Sequence, residues 1–102
     1  MKVELYFFKG CPTYQETARN LRDALKELHL QDNFDRIEVL NPEDAITKKF
    51  MGSPTIKING TDLENKDEAY LFGCRVYTID GKITGTPTKK YISEKLKSFI
   101  KA

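Results

Sequence analysis

A chain of 102 residues, 39% hydrophobic and 31% charged, fits one globular domain over residues 1–102, with enough apolar mass for a core that needs no staples. The balance of 17 basic and 15 acidic residues leaves a net charge of +2, too small to argue for nucleic acid or an anionic membrane as partner. No apolar run is long enough to span a bilayer, and the opening MKVELYFF lacks the long apolar stretch of a secretory signal, so a cytoplasmic address is expected. Two cysteines there read as chemistry or core filling before they read as a structural disulfide.

Val3 to Phe8 is rich in β-formers and stops at Lys9-Gly10, which predicts a first strand. Pro12 suits a first helical turn, and Tyr14, Ala18, Leu21, Leu25 and Leu28 recur at helical spacing, so a helix is expected over 12–30. Arg36 to Leu40 alternates as a second strand. Asn41-Pro42-Glu43-Asp44 has the order of a helix start, with Asn as cap, Pro first and acids in the first turn; this short helix ends near Phe50 or Met51. Thr55 to Asn59 alternates as a third strand, and residues 61–73 read as a loop. Arg75 to Ile79 is the fourth strand, Asp80-Gly81 a tight turn after which Lys82-Ile83-Thr84 pairs back, and Gly85-Thr86-Pro87 opens the last helix. The order is β-α-β-α-β-β-α. A strand, helix and strand in succession suggest a parallel crossover, with strands three and four antiparallel on the other side. The fold class expected is α/β, a mixed four-stranded sheet flanked by helices.

The residue at the first strand-to-helix joint is Cys11. A cysteine there faces unpaired backbone N–H groups and the positive end of the helix dipole, and both favour thiolate over thiol. Lys9 adds positive charge two residues away. A thiolate is the nucleophile of disulfide exchange and a soft ligand for mercury or copper(I). Cys74 begins the fourth strand, which returns from the far end of the third. Five strand residues place it about 17 Å away, beyond disulfide reach, so it reads as a structural or half-exposed cysteine. His29, near the end of the first helix, reads as solvent-facing; one histidine cannot build a zinc site unaided, and no metal site is expected.

The element order, Cys11-Pro12 at the joint and Gly52-Ser53-Pro54-Thr55 before the third strand together resemble the thioredoxin-like superfamily. Cys11-Pro12-Thr13-Tyr14 stands where thioredoxins and glutaredoxins carry C-x-x-C, and Pro54 matches their cis-proline, which faces the active cysteine. The resemblance implies a small thiol-dependent redox protein with Cys11 as attacking thiol, Lys9, Pro12 and Tyr14 supporting it. It also implies that Pro54 shapes a groove in which backbone groups of Ser53 and Thr55 pair with an extended peptide. Tyr14 replaces the second motif cysteine, so the implied mechanism is monothiol: Cys11 forms a mixed disulfide, and an outside thiol such as glutathione releases it. No cofactor is implied beyond glutathione as co-substrate. The Gly-Gly-Asp type of stretch that glutaredoxins carry after strand three is absent from Asn59-Gly60-Thr61-Asp62-Leu63. The partners implied are protein or small-molecule thiols and disulfides. A thiol-based metal or metalloid binder without turnover, and a redox-inactive adaptor, are the alternatives.

Overall fold

The structure, a computed structural model, describes residues 1–100. Strand β1 (Val3–Phe7) leads to helix α1 (Tyr14–Glu27), strand β2 (Asp35–Glu38) and helix α2 (Pro42–Thr47). Then follow β3 (Met51–Ser53), β4 (Thr55–Ile58), β5 (Thr61–Asp62), β6 (Leu71–Cys74), β7 (Tyr77–Ile79), β8 (Lys82–Thr84) and helix α3 (Lys89–Ile100). The protein is a mixed α/β domain around a four-stranded mixed sheet of order β2-β1-β4-β5. β1 runs parallel to β2 and antiparallel to β4, and β4 antiparallel to β5.

Alternation along β1 sends its side chains to opposite faces. Val3 and Leu5 join Ile56 and Ile58 of β4 beneath α1 and α3, where Ala18, Leu21, Ala24, Leu25, Ile92 and Leu96 close the larger core. Tyr6 points the other way and packs with Val39, Ala45 of α2 and Phe50. Helices therefore cover both faces. No helix among the described residues is long and apolar enough to cross a membrane.

Both early helices end in the same way. His29 takes a left-handed φ of 57° after α1, its N–H donating to Lys26 O at 3.0 Å while Leu30 N donates to Leu25 O at 2.9 Å. Lys49 (φ 54°) does the same after α2, with Phe50 N on Ala45 O at 2.8 Å. These paired bonds satisfy the last carbonyls of each helix. The second one turns Phe50 into the core and starts β3 beneath it. His29 is exposed.

The sequence-based order needs correction in the second half. The sheet's fourth strand is β5, inside the stretch read as a loop, and not the segment at 75–79. The turn Asn59-Gly60, with φ of 53° and 83°, folds β5 straight back on β4, the geometry that favours an Asn-Gly pair in a two-residue hairpin. Among the described residues β7 pairs only with β8, as a separate hairpin around Asp80-Gly81 (φ 53° and 78°). The loop stretch also supplies β6, which lies parallel to β3.

Candidate functional site

Beyond β1 the chain makes a tight turn, with Cys11 N–H donating to Phe8 O at 3.0 Å. Cys11 is buried, only 7% exposed, while Lys9 and Gly10 of the turn are exposed. Among the described residues no ion pair or hydrogen bond ties Lys9 to Cys11. Helix α1 starts at Tyr14, two residues later than the periodicity suggests, so Pro12 is an exposed turn residue and Thr13 is the cap. Thr13 does not cap with its side chain. Its hydroxyl instead donates to Gly85 O at 2.9 Å, across the chain in the segment before α3. Asn20 Nδ2 donates to Pro87 O at 3.0 Å and fixes the same segment to α1.

Cys11 Sγ lies 3.5 Å from Thr13 Oγ1. A threonine hydroxyl has one proton, and here Gly85 O holds it. In this contact the Cys11 thiol is therefore the donor and the Thr13 oxygen the acceptor. If Cys11 gives up its proton, the Thr13 hydroxyl can swing from Gly85 O to the sulfur. Thr13 is thus the side chain that meets the Cys11 sulfur, and sequence reasoning passed over it between two diagnostic neighbours. Tyr14 does not reach the thiol with a hydrogen bond. Its ring stacks flat on Phe7, centroids 4.0 Å apart and 6° between planes, and packs at the margin of the larger core.

The second motif follows β3. The Ser53-Pro54 bond is cis. Pro54 O accepts from the buried Tyr77 hydroxyl at 2.5 Å, and Thr55 Oγ1 donates to Gly52 O at 2.5 Å. The backbone edge expected to receive an extended peptide is already in use. Ser53 O accepts from Arg75 N at 2.9 Å, Phe50 O from Leu71 N at 2.9 Å, and Thr55 pairs with Tyr6. Strand β6 fills the place assigned to a peptide. Gly52, at φ 100°, permits the approach: a Cβ there would stand 3.0–3.1 Å from Arg75 Cβ, Arg75 N and the Cys74 carbonyl carbon.

This pairing also overturns the expected position of Cys74. It is not at the far end of a returning strand; it pairs in register with Ser53, beside Pro54. The two cysteines are both free, Cys11 buried and Cys74 exposed.

Arg75 pins the segment. Its guanidinium grips Asp62 with two bonds, of 2.7 and 3.0 Å, and reaches Glu64 Oε1 at 2.9 Å and Thr55 Oγ1 at 3.3 Å. It also lies over the Tyr77 ring at 4.8 Å. Burial pushes the Glu64 carboxyl up, but hydrogen bonds from Tyr91 and Arg75, with the Arg75 charge, outweigh it and hold the group below the usual range. Burial and the bond to Glu64 push the Tyr91 hydroxyl up to about 12.

A carboxyl whose pKa falls on folding stabilises the fold fully above its unfolded value, about 4.3 for glutamate, and loses that contribution as pH falls through the lower folded value. The thermal midpoint of the wild type is therefore expected to fall more steeply than that of Glu64→Gln between about pH 5 and pH 3. Parallel melting curves across that range would remove Glu64 from the account. The described residues contain no cluster of three or more histidine, cysteine, aspartate or glutamate side chains arranged to hold a metal ion. Comparison of the chain with protein-family models, curated proteins and solved structures finds no match.

Proposed function

We propose that this protein is a small thioredoxin-like redox protein in which Cys11 is the attacking thiol of thiol–disulfide exchange. One observation carries the reading: the Cys11 sulfur is held, nearly buried, at the joint of β1 and α1, just ahead of a helix whose first N–H groups no side chain caps. Such a position offers a sulfur anion backbone donors and the positive helix end. Thr13 offers a movable hydroxyl at 3.5 Å. The cis Ser53-Pro54 bond before β4 agrees with the thioredoxin-like resemblance.

In the proposed step the Cys11 thiolate attacks one sulfur of a substrate disulfide, forms a mixed disulfide and expels the other sulfur as a thiolate. Tyr14 cannot resolve that intermediate, so another thiol must. Since β6 occupies the edge beside Ser53, a substrate reaches Cys11 from the exposed rim formed by Lys9, Gly10 and Pro12 rather than by adding a strand.

The test is the dithiothreitol-driven reduction of a peptide disulfide. The wild type is expected to raise the rate above buffer, and Cys11→Ser to return it to background. A folded wild type with no rate above buffer would leave the metal-binding or adaptor reading. A Cys11→Ser variant as active as the wild type would place the chemistry elsewhere.

A further inference from the structure

We propose that Cys74 is the second redox thiol of the Cys11 site: it resolves the mixed disulfide on Cys11 and closes an internal disulfide. This rests on the reading of Cys11 as attacking thiol. Three observations carry it. First, Cys74 and Ser53 are register partners in the β3–β6 pair, after a register shift between Met51 and Ser53, and the pairing is held by Arg75 N on Ser53 O at 2.9 Å. Directly paired residues carry their side chains to the same side.

Second, Ser53 Oγ is buried, the residue only 1% exposed, and it is the one buried side-chain polar atom among the described residues without a hydrogen-bond partner. Buried hydroxyls ordinarily have one. A donor left free on the register partner of Cys74, which is itself exposed and does not bond to that donor, suits a sulfur that turns inward and carries charge or a bond to another sulfur.

Third, β3 touches β1, and just past β1 the Phe8 ring lies against Phe72, centroids 5.3 Å apart. Phe72 is two residues before Cys74, and Phe8 O holds Cys11 N at 3.0 Å. One tight turn thus separates Cys11 from a ring seated on the strand that carries Cys74. Cys74 is exposed, so its side chain is free to reorient, whereas Cys11 is fixed.

The electrons balance as follows. Cys11, its proton lost to solvent, attacks a disulfide RSSR; the Cys11–SR bond forms, the RS–SR bond breaks and one thiolate RS⁻ leaves. Cys74, its proton lost to solvent, attacks Cys11 Sγ; the Cys11–Cys74 bond forms and the second RS⁻ leaves. The substrate disulfide is reduced by two electrons and the protein dithiol is oxidised by two.

The experiment gives fully reduced protein one equivalent of dithiobis(nitrobenzoate), an aromatic disulfide. It follows thionitrobenzoate release by absorbance and the product by intact mass and peptide mapping. The wild type is expected to release both thionitrobenzoates of each reagent and to end as a monomer two hydrogens lighter, with no adduct. Cys74→Ser is expected to stop after the first release with the adduct on Cys11. An intramolecular thiol acts at an effective concentration of ~1 mM, so an adduct exposed only to ~10 μM outside thiol should persist about 100-fold longer. A lasting wild-type adduct on Cys11 would overturn the role of Cys74 and leave Cys11 as nucleophile, as would a disulfide-linked dimer. An adduct on Cys74 alone would overturn both readings.

Discussion

Arg75→Met is expected to lower the thermal midpoint by at least about 12 °C. The arginine side chain is 7% exposed and its partner Asp62 only 1%. Removing the cation leaves the Asp62 carboxylate buried without its two guanidinium bonds and takes one from Glu64 and one from Thr55. Breaking a buried pair from one side costs about 3–5 kcal/mol, and each kcal/mol moves the midpoint of a domain this size by about 4–8 °C. The cost comes from the stranded acid, so neutralising it should return part of the loss. Arg75→Met with Asp62→Asn is expected to melt above Arg75→Met alone. Recovery stays partial because Asp62 Oδ2 also accepts from Glu64 N at 3.0 Å and Lys66 N at 3.3 Å, bonds that need an acceptor in the same place. A single variant within about 4 °C of the wild type, roughly 1 kcal/mol, would mean that the network does not pin the chain after β6 to β4 and β5.

The first half of the fold was readable because each signal there is local. Apolar spacing marks α1, Asn41-Pro42 marks α2, and Asn41 Oδ1 does accept from Asp44 N at 2.8 Å. The second half rests on pairings distant in sequence. β5 is two residues long and one of them is a buried aspartate, so hydrophobic pattern cannot find it; only the Asn59-Gly60 pair announces the hairpin. β6 reads as loop because Leu71 and Phe72 are exposed and Gly73 interrupts the run, and its partner β3 is only three residues long. The buried polar groups were also hidden. Lys57 alternates with isoleucines, as on a solvent face, yet α2 covers that face. Lys57 is buried, with Nζ donating to Lys48 O at 2.9 Å and lying 4.7 Å from the Tyr6 ring centre. The place of Cys11 between β1 and α1 and the cis Ser53-Pro54 bond before β4 were legible from motif and position. Thr13, and the pairing of Cys74 with Ser53, depend on Gly85 and Arg75, far along the chain.

Tyr14→Cys is expected to give Cys11 a local resolving thiol. The variant would read C-P-T-C, with Pro12 and Thr13 in a turn that already brings residues 11 and 14 together. The ends of such a turn lie within about 7 Å at Cα, and a disulfide spans most of that range. In a Cys74→Ser background, where the dithiobis(nitrobenzoate) adduct on Cys11 is expected to persist, adding Tyr14→Cys should clear it and yield an internal disulfide. Supplied with dithiothreitol, the Cys74→Ser protein carrying Tyr14→Cys should also reduce a peptide disulfide faster than Cys74→Ser alone. The substitution has a structural cost, since the Tyr14 ring stacks on Phe7 and touches the larger core. Truncating a core aromatic costs about 3–5 kcal/mol, and Tyr14 is only half-buried, so the loss falls below that range. The thermal transition of each variant therefore comes first. A folded protein carrying both Tyr14→Cys and Cys74→Ser in which Cys11 takes no adduct and no exchange activity appears would show that Cys11 is not an exchange nucleophile. Stoichiometric uptake of mercury or copper(I), lost in Cys11→Ser, would then identify the sulfur as a soft-metal ligand.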